Sequence, residues 1–166
     1  FNSASGPTPV ATRGDRTAPD PDAIDAVARL LGEATRPVIV LGTDVWADGA
    51  EVAALRLVEE LALPALTNGM GRGVIPGGHP LLITKARGQA LKASDLVVVV
   101  GTPLDFRLGY GVFGGADSSE GGPAARVVHL VDSPGQVSSH ADLAASAHGD
   151  LTVVLDALLV AVQRLP

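Results

Sequence analysis

The chain contains no cysteine, which excludes disulfide bonds, a thiolate nucleophile and metal sites built on sulfur. This composition fits an intracellular protein, and we expect a cytoplasmic one. The histidines lack the spacing of metal ligands, so we also predict no metal site. Instead, we expect all four of them on the surface or in loops: His79, His129, His140 and His148.

Aromatic residues are scarce as well, at 3% of the chain, so the core must consist of aliphatic side chains. There is no basic run, and the formal net charge is −6, which argues against a nucleic acid or an anionic membrane as a partner. No apolar run approaches the ~20 residues of a membrane span. With 46% hydrophobic and 18% charged residues, the 166-residue chain is typical of one folded, soluble domain.

The chain begins with Phe1 rather than methionine, which suggests a piece of a longer protein. Residues 1–19 are rich in proline, glycine, serine and threonine and show no apolar periodicity, so we interpret them as an interdomain linker. Residues 20–166 are expected to form the domain itself.

Short apolar runs alternate with amphipathic segments along this domain, which predicts an α/β fold with a doubly wound parallel sheet between two layers of helices. The most apolar run, Leu96–Val100, is predicted to be a strand buried on both faces. Further strands are predicted at Pro37–Leu41, Leu63–Thr67, Arg126–Val131 and Ala144–Ala147. Helices are predicted from Pro21 to about Thr35, from a capping box at Asp48 and Glu51 to Leu61, from Thr84 to Ala93, and from Asp150 onward.

Glycines and polar residues follow the predicted strands at the edge of the sheet where open α/β folds bind ligands. Arg107 either contacts a phosphate or pairs with Asp105 in the ordinary way. Asp132 either binds a ribose hydroxyl or caps the next turn. The glycine-rich segment 68–78 either brings backbone N–H groups to a ligand or is a plain flexible loop.

Motifs of the common catalytic sites are missing from the sequence. There is no G-x-S-x-G elbow, no Walker loop and no G-x-G-x-x-G, because Gly42 is followed by Thr43, Asp44 and Val45. We therefore predict no catalytic residue in this chain, and we expect the crevice at the strand ends to bind a nucleotide.

Several segments, in this order and spacing, resemble the central domain of thiamine-diphosphate-dependent enzymes, most nearly the acetolactate synthase group. They are RPVIVLG at 36–42, LPALTNGMGRGVIP at 63–76 with His79-Pro80, ASDLVVVVG at 93–101, and HGD at 148–150 before a leucine-rich helix. The resemblance implies about six parallel strands in a Rossmann-like domain of the DHS type, which binds FAD or NAD. It also implies that pyrimidine-binding and pyrophosphate-binding domains of the same chain lie on either side.

The resemblance further implies that the full-length protein joins 2-oxo acids after decarboxylation, in branched-chain amino acid biosynthesis, as a homo-oligomer. Thiamine diphosphate (thiamine pyrophosphate) and Mg²⁺ would be held by the other domains, so this chain alone is expected to be inactive. In acetolactate synthases the central domain carries FAD, and residues 101–108 match the flavin-contacting pattern G-x-x-x-D-x-R-V. The cofactor-binding residues expected here are Gly42, Gly69, Gly71, Gly101, Thr102, Asp105, Arg107, Leu108 and Asp132.

The chain departs from the flavin-binding pattern at three places. Pro103 stands where many flavin-binding members have arginine, and H-x-D-x-D-P appears as HLVDSP at 129–134. ITKARG at 83–88 replaces G-M-H-G and looks more like the 2-hydroxyacyl-CoA lyase and oxalyl-CoA decarboxylase branch, whose members bind an adenine nucleotide instead of FAD. Three alternatives therefore stay open: ADP in place of FAD, a purely structural domain of a lyase-like enzyme, and a free-standing nucleotide-binding protein.

Overall fold

The computed structural model describes residues 16–115 and 123–166, and one parallel sheet forms its centre. The strands run in the order β2-β1-β3-β4-β5, and every neighbouring pair is parallel. The strands are β1 Pro37–Leu41, β2 Ala65–Thr67, β3 Leu96–Val100, β4 Arg126–Val131 and β5 Ala145–His148. The α-helices are α1 Pro21–Glu33, α2 Thr43–Ala47, α3 Glu51–Glu60, α4 Arg87–Ala93 and α5 Leu151–Gln163.

The central strand β3 separates two apolar layers. Leu96, Val98 and Val100 face a core built with α1, α3 and α5, whereas Val97 and Val99 face a second core on the other side. All five side chains are buried, as a strand covered on both faces requires. The predicted α/β class, a doubly wound parallel sheet as the middle of three layers, is therefore confirmed.

The helices α1 and α5 begin where the sequence predicts and pack against each other. Asp20 accepts a hydrogen bond from the backbone N–H of Asp22 at 3.0 Å, and Pro21 takes the first helical position. Asp150 accepts one from the N–H of Val153 at 3.3 Å. Each N-cap of this kind stabilises its helix by about 1 kcal/mol. In the described parts of the chain, no helix combines the length and apolarity needed to cross a membrane.

The segment after β1 differs from the prediction. We expect a loop at 42–48, but residues 43–47 form α2, and Asp48 ends that helix. The predicted capping box is also wrong, because α3 begins after Ala50 without a side-chain cap. The Oδ2 atom of Asp48 instead accepts a hydrogen bond from the N–H of Leu151 at 3.1 Å. Its carboxylate therefore accepts a hydrogen bond from the first residue of α5 rather than from α3.

The edge beyond β2 also differs from expectation, since the described residues form five strands rather than about six. Leu82 makes a single parallel bridge to Ala65. The N–H of Ile83 then donates to the carbonyl oxygen of Ala65 at 2.8 Å. No strand continues from this bridge, because the chain turns at Ala86, whose backbone is left-handed. The helix α4 therefore begins at Arg87 rather than at the predicted Thr84.

Most of the predicted linker, residues 1–15, lies outside the described residues. The part that is described, residues 16–19, contacts the start of α5. The carbonyl oxygen of Thr17 accepts a hydrogen bond from the N–H of Asp150 at 2.9 Å, and the Arg16 guanidinium lies 3.9 Å from the Asp150 carboxylate.

Candidate functional site

The carboxyl ends of all five parallel strands meet at one edge of the sheet, and the predicted site residues follow them there. We call this the carboxyl edge. A cleft of about 280 Å³ opens between the segments after β3 and β4. Its lining residues are Pro103, Leu104, Asp105, Tyr110, His129, Gln136, Val137, Ser138, Ser139 and His140. Of the predicted site residues, Asp105 alone lines this cleft.

The glycines of the carboxyl edge pack closely against neighbouring backbone. A Cβ atom on Gly42 would lie 2.6 Å from the carbonyl oxygen of Gly101, and one on Gly71 would lie 2.5 Å from that of Leu41. The N–H groups of Gly42 and Gly101 donate to the carbonyl oxygens of Val100 and Leu130. These glycines therefore allow the strand ends to meet, and their contact with a ligand stays a prediction.

Gly69 takes part in the link between the segments after β1 and β2. Its φ is +52°, a conformation that side chains with a Cβ atom disfavour, and a Cβ there would lie 2.5 Å from Thr43 Oγ1. The same Thr43 oxygen accepts a hydrogen bond from the N–H of Met70 at 3.2 Å. The start of the glycine-rich segment is thus fastened to α2.

Arg107 pairs with Asp105, which is one of the two interpretations left open by the sequence. Its guanidinium lies 2.8 Å from Asp105 Oδ2 and 4.9 Å from the centroid of the Phe106 ring, and 66% of its side chain is exposed. The other oxygen of Asp105 accepts a hydrogen bond from the N–H of Arg107 at 2.9 Å. Leu108 is buried in the core beneath. A phosphate contact by Arg107 stays a prediction.

Asp132, which follows β4, does not cap the turn after it. That turn, at residues 134–136, begins after Ser133 without a side-chain cap. The Oδ1 atom of Asp132 is buried and has no hydrogen-bond partner. A buried acceptor left without a donor costs about 1–3 kcal/mol. The position therefore suits a ligand that brings a hydroxyl or N–H group to it.

Acidic side chains gather around Asp132. The pKa of Asp44 is raised by burial, then by the charges of Asp132 and Asp48. Asp44 and Asp48 belong to the segment after β1, while Asp132 follows β4, so the centre of the carboxyl edge is negatively charged. Among the residues that the structure describes, no group of three or more acidic or histidine side chains is arranged to hold a metal ion.

His129 is buried in β4, so the prediction of a surface or loop position is wrong for this residue. Its Nδ1 accepts a hydrogen bond from the N–H of Ser138 at 3.1 Å, so Nε2 carries the proton and donates to the carbonyl oxygen of Thr102 at 2.9 Å. Burial lowers the pKa of His129, and the nearby His140 lowers it further. The neutral ring therefore ties β4 to the two segments around the cleft, through Thr102 after β3 and Ser138 after β4. Its place between apolar residues on both sides, in VVHLV at 127–131, was the signal for burial.

Two arginines that sequence reasoning did not assign to the site lie at the end of β2. Arg87 donates hydrogen bonds to the carbonyl oxygen of Thr67 at 3.0 Å and to Asn68 Oδ1 at 2.5 Å. Burial lowers the pKa of Arg87, and so does the charge of Arg72. Within the described residues, no carboxylate lies within 4.0 Å of either guanidinium. We call these two residues the arginine pair.

A larger groove, of about 540 Å³, lies between α1 and α5. It is lined mainly by apolar side chains such as Ile24, Val153 and Val160, and none of the predicted site residues borders it. Ligand pockets combine an apolar lining with a few convergent polar groups, and in open α/β sheets they lie at the carboxyl ends of the strands, where the cleft between the segments after β3 and β4 is found. The carboxyl edge is therefore the stronger candidate site.

Comparison with known proteins agrees with this architecture. Residues 24–158 match the family model of the thiamine pyrophosphate enzyme central domain. The chain therefore belongs to this family, as the sequence resemblance indicates.

Two relatives show which members of this family the chain is similar to. The chain is 45% identical over 155 residues to the acetolactate synthase large subunit IlvG of Mycobacterium tuberculosis, a match covering 93% of this chain and 25% of that protein. It is 37% identical over 107 residues to human 2-hydroxyacyl-CoA lyase 2, covering 64% of this chain and 16% of the lyase. The chain thus spans only about a quarter of the acetolactate synthase it matches.

Solved structures show the same fold. An enzyme from Mycobacterium smegmatis assigned to the thiamin diphosphate-dependent class is 28% identical, with a TM-score of 0.70 over 96% of this chain and 31% of its own. Benzoylformate decarboxylase from Polynucleobacter necessarius also gives a TM-score of 0.70, over 92% of this chain and 29% of its own. Its identity is 22%, so this second likeness concerns the fold alone.

Proposed function

We propose that this chain is the nucleotide-binding central domain of an acetolactate synthase-like enzyme that decarboxylates and joins 2-oxo acids in branched-chain amino acid biosynthesis. The 45% identity to acetolactate synthase supports this parent activity. Thiamine diphosphate and Mg²⁺ are assigned to flanking domains of the same chain, and the parent is expected to be a homo-oligomer. The chain alone supplies no catalytic residue.

The observation that carries nucleotide binding is the buried, unpartnered Oδ1 of Asp132. A ribose hydroxyl that donates to this oxygen would satisfy it, and carboxylates play this role at strand ends of nucleotide-binding folds. The cleft between the segments after β3 and β4, which Asp132 itself does not line, has about 280 Å³ and is at the small end of ligand pockets, which span about 300–1,000 Å³. A nucleoside suits this volume better than a complete dinucleotide does.

The residues present therefore fit adenosine, the nucleoside that FAD and ADP have in common. A bound nucleotide would supply hydroxyl and phosphate groups that tie the segments of the carboxyl edge together. The nucleotide would be bordered by backbone groups of five residues at this edge: Gly42, Gly69, Gly71, Gly101 and Thr102. Arg107 would join the site only after its guanidinium leaves Asp105.

A second candidate is the ADP-binding central domain of a 2-hydroxyacyl-CoA lyase-like enzyme. The 37% identity to the human lyase and the segment ITKARG at 83–88 favour it.

Calorimetric titration of the purified chain with FAD and with ADP tests the proposal. We expect binding of at least one of them, with one ligand per chain. Tighter binding of FAD would favour the acetolactate synthase-like parent, and tighter binding of ADP the lyase-like one. If neither ligand binds nor raises the melting temperature at millimolar concentration, the domain is structural and the nucleotide proposal is wrong.

A further inference from the structure

The loop that joins β4 to β5, at residues 133–143, forms one wall of the cleft. Its side chains are exposed or half-buried. Its backbone hydrogen bonds lie within residues 133–137, and bonds to the sheet resume only at Ala144, whose N–H donates to the carbonyl oxygen of Val127 at 2.8 Å. Between described residues, the hydrogen bonds that join this β4–β5 loop to the rest of the domain all involve a histidine ring.

The first of these rings is that of His129 in β4. Its Nδ1 accepts a hydrogen bond from the N–H of Ser138 at 3.1 Å, while Nε2 donates to the carbonyl oxygen of Thr102 at 2.9 Å. A proton on Nδ1 would occupy the lone pair that accepts from Ser138, because both ring nitrogens of a charged histidine are donors. The neighbouring strands place uncharged residues opposite His129, namely Val99 in β3 and Ser146 in β5. The bond to Ser138 therefore exists only while the ring is neutral.

The second ring is that of His140, in the loop itself. Its Nε2 donates to the carbonyl oxygen of Leu104 at 2.8 Å, and its Nδ1 lies 3.3 Å from Oγ of Ser138. A hydroxyl group can either donate or accept a hydrogen bond. A charged His140 therefore keeps both partners, because its Nδ1 then donates to the Ser138 oxygen. Acid thus removes the attachment at His129 and leaves the one at His140.

The charges around the cleft do not favour a proton on His129. The titratable side chains nearby are Asp105, Tyr110 and His140, which line the cleft, and Asp142, which is exposed in the loop. The Asp105 carboxylate is bound by the N–H and the guanidinium of Arg107. In the part of the chain that the structure describes, no carboxylate forms an ion pair with His129. Burial lowers the pKa of His129 below its ordinary value of 6.5, and a charge on His140 lowers it further.

We propose that His129 is a pH-sensitive switch, which fastens the β4–β5 loop beside the cleft while its ring is neutral and releases the loop in acid. When Nδ1 takes up a proton, the N–H of Ser138 loses its acceptor and the middle of the loop separates from β4. His140 still holds the loop to the segment after β3, and Ala141 and Leu143 still pack against the second core. Because the loop is lightly buried, this local opening requires less free energy than unfolding of the sheet. The cleft therefore widens at Ser138, whatever ligand it binds.

Nuclear magnetic resonance of the purified chain, titrated downward through pH 6.5, tests this proposal. The chemical shifts of the ring nitrogens report the protonation of each histidine. Protection factors from amide hydrogen exchange report the bond from Ser138, and Ala144, which is bonded to the sheet, supplies the reference amide.

Two substitutions separate the roles of the two ring nitrogens. In His129→Asn, a side-chain oxygen close to the position of Nδ1 can accept from Ser138 and takes up no proton. In His129→Gln, the amide lies near the position of Nε2 and supplies no acceptor to Ser138. The controls are Ser138→Ala, which keeps the N–H, and His148→Gln, which is exposed at the end of β5.

In the wild type we expect the protection factor of Ser138 to fall about 5- to 10-fold as the His129 ring takes up its proton, while that of Ala144 stays the same. His129→Asn should keep the protection throughout the titration, and His129→Gln should lack it throughout. Both controls should follow the wild type. His140→Gln should move the transition to higher pH, because it removes a charge that opposes the proton on His129.

The proposal is overturned if Ser138 stays protected while the His129 ring is protonated, or if the ring stays neutral until the whole chain unfolds. It is also overturned if Ser138 and Ala144 lose protection together, because that result means global unfolding. If both His129 variants fail to fold, the wild-type titration and the shift in His140→Gln decide the matter.

Discussion

Replacement of Asp132 should make the domain more stable and a poorer nucleotide binder. Its Oδ1 is buried without a donor, which costs about 1–3 kcal/mol in the free protein. Asp132→Asn removes the charge beside Asp44, and Asp132→Ala also removes the unsatisfied oxygen. We therefore expect the free energy of unfolding to rise by about 1 kcal/mol for the asparagine variant, and somewhat more for alanine.

Thermal melts and ligand titration measure the two effects together. A gain of 1 kcal/mol corresponds to a melting temperature about 2–4 °C higher for a domain of roughly this size. Loss of the carboxylate that receives a ribose hydroxyl should weaken ADP binding about 10- to 150-fold in Asp132→Ala. Asparagine keeps one acceptor and should lose less. If both variants melt below the wild type and bind ADP unchanged, Asp132 is structural and the reasoning is refuted.

The pH dependence of stability gives a second measurement on the same group. The pKa of Asp44 is raised by burial, then by Asp132 and Asp48, above its ordinary value of 3.8. Because the folded state holds this proton more tightly, it contributes stability that is present below pH 3.8 and lost as the pH rises through the folded-state pKa. Asp132→Asn removes one of the raising charges. The slope of stability against pH in that window should therefore become shallower than in the wild type.

Three further predictions follow from other parts of the molecule. Gly42→Ala should destabilise the fold by about 2 kcal/mol or more, because its Cβ would lie 2.6 Å from backbone, whereas Gly77→Ala has open space and should be near neutral in urea unfolding. Asp95→Asn should cost about 1–3 kcal/mol in the same assay, since the Asp95 carboxylate accepts hydrogen bonds from Thr35 and Arg36. The purified chain should form no product from pyruvate with thiamine diphosphate and Mg²⁺, and catalysis free of contaminants would contradict the domain assignment.

Asp95 also shows how hydrogen bonding outweighs burial in setting a pKa. Burial alone would raise the pKa of Asp95, but hydrogen bonds from Thr35 and Arg36 lower it below the ordinary value of 3.8. This carboxylate therefore contributes stability above pH 3.8, which is lost as the pH falls through the folded-state pKa. In Asp95→Asn this acid-side loss should disappear, as acid titration followed by circular dichroism would show.

The strands could be predicted from sequence because their signal is local. A continuous β-branched run such as Leu96–Val100 has few stable settings other than a strand covered on both faces. The five-residue helix α2 gave no such signal, because glycine, threonine and aspartate at 42–44 are typical of loops. Asp48 looked like a local cap, yet its carboxylate serves Leu151, 103 residues further along the chain.

The location of the candidate residues on the sheet could be predicted from sequence, whereas their contacts could not. Because Asp105 and Asp132 each follow a predicted parallel strand, the sequence placed both at the carboxyl edge, and the structure has them there. The order of strands does not say which charges stay unpaired. Arg87 reaches the end of β2 only because the chain pairs with Ala65 at Leu82 and then turns through Ala86. A contact of this kind depends on tertiary structure that no local pattern encodes.

The N–H groups at the start of α5 donate hydrogen bonds to two separate parts of the chain. The N–H of Asp150 donates to the incoming segment at Thr17, and the N–H of Leu151 donates to Asp48 at the end of α2. Asp48 in turn acts on the pKa of Asp44 at the carboxyl edge. Two consecutive amide groups at the start of α5 thus attach this helix both to the segment before α1 and to the end of α2. Loss of either acceptor would leave one of these N–H groups without its partner in the fold.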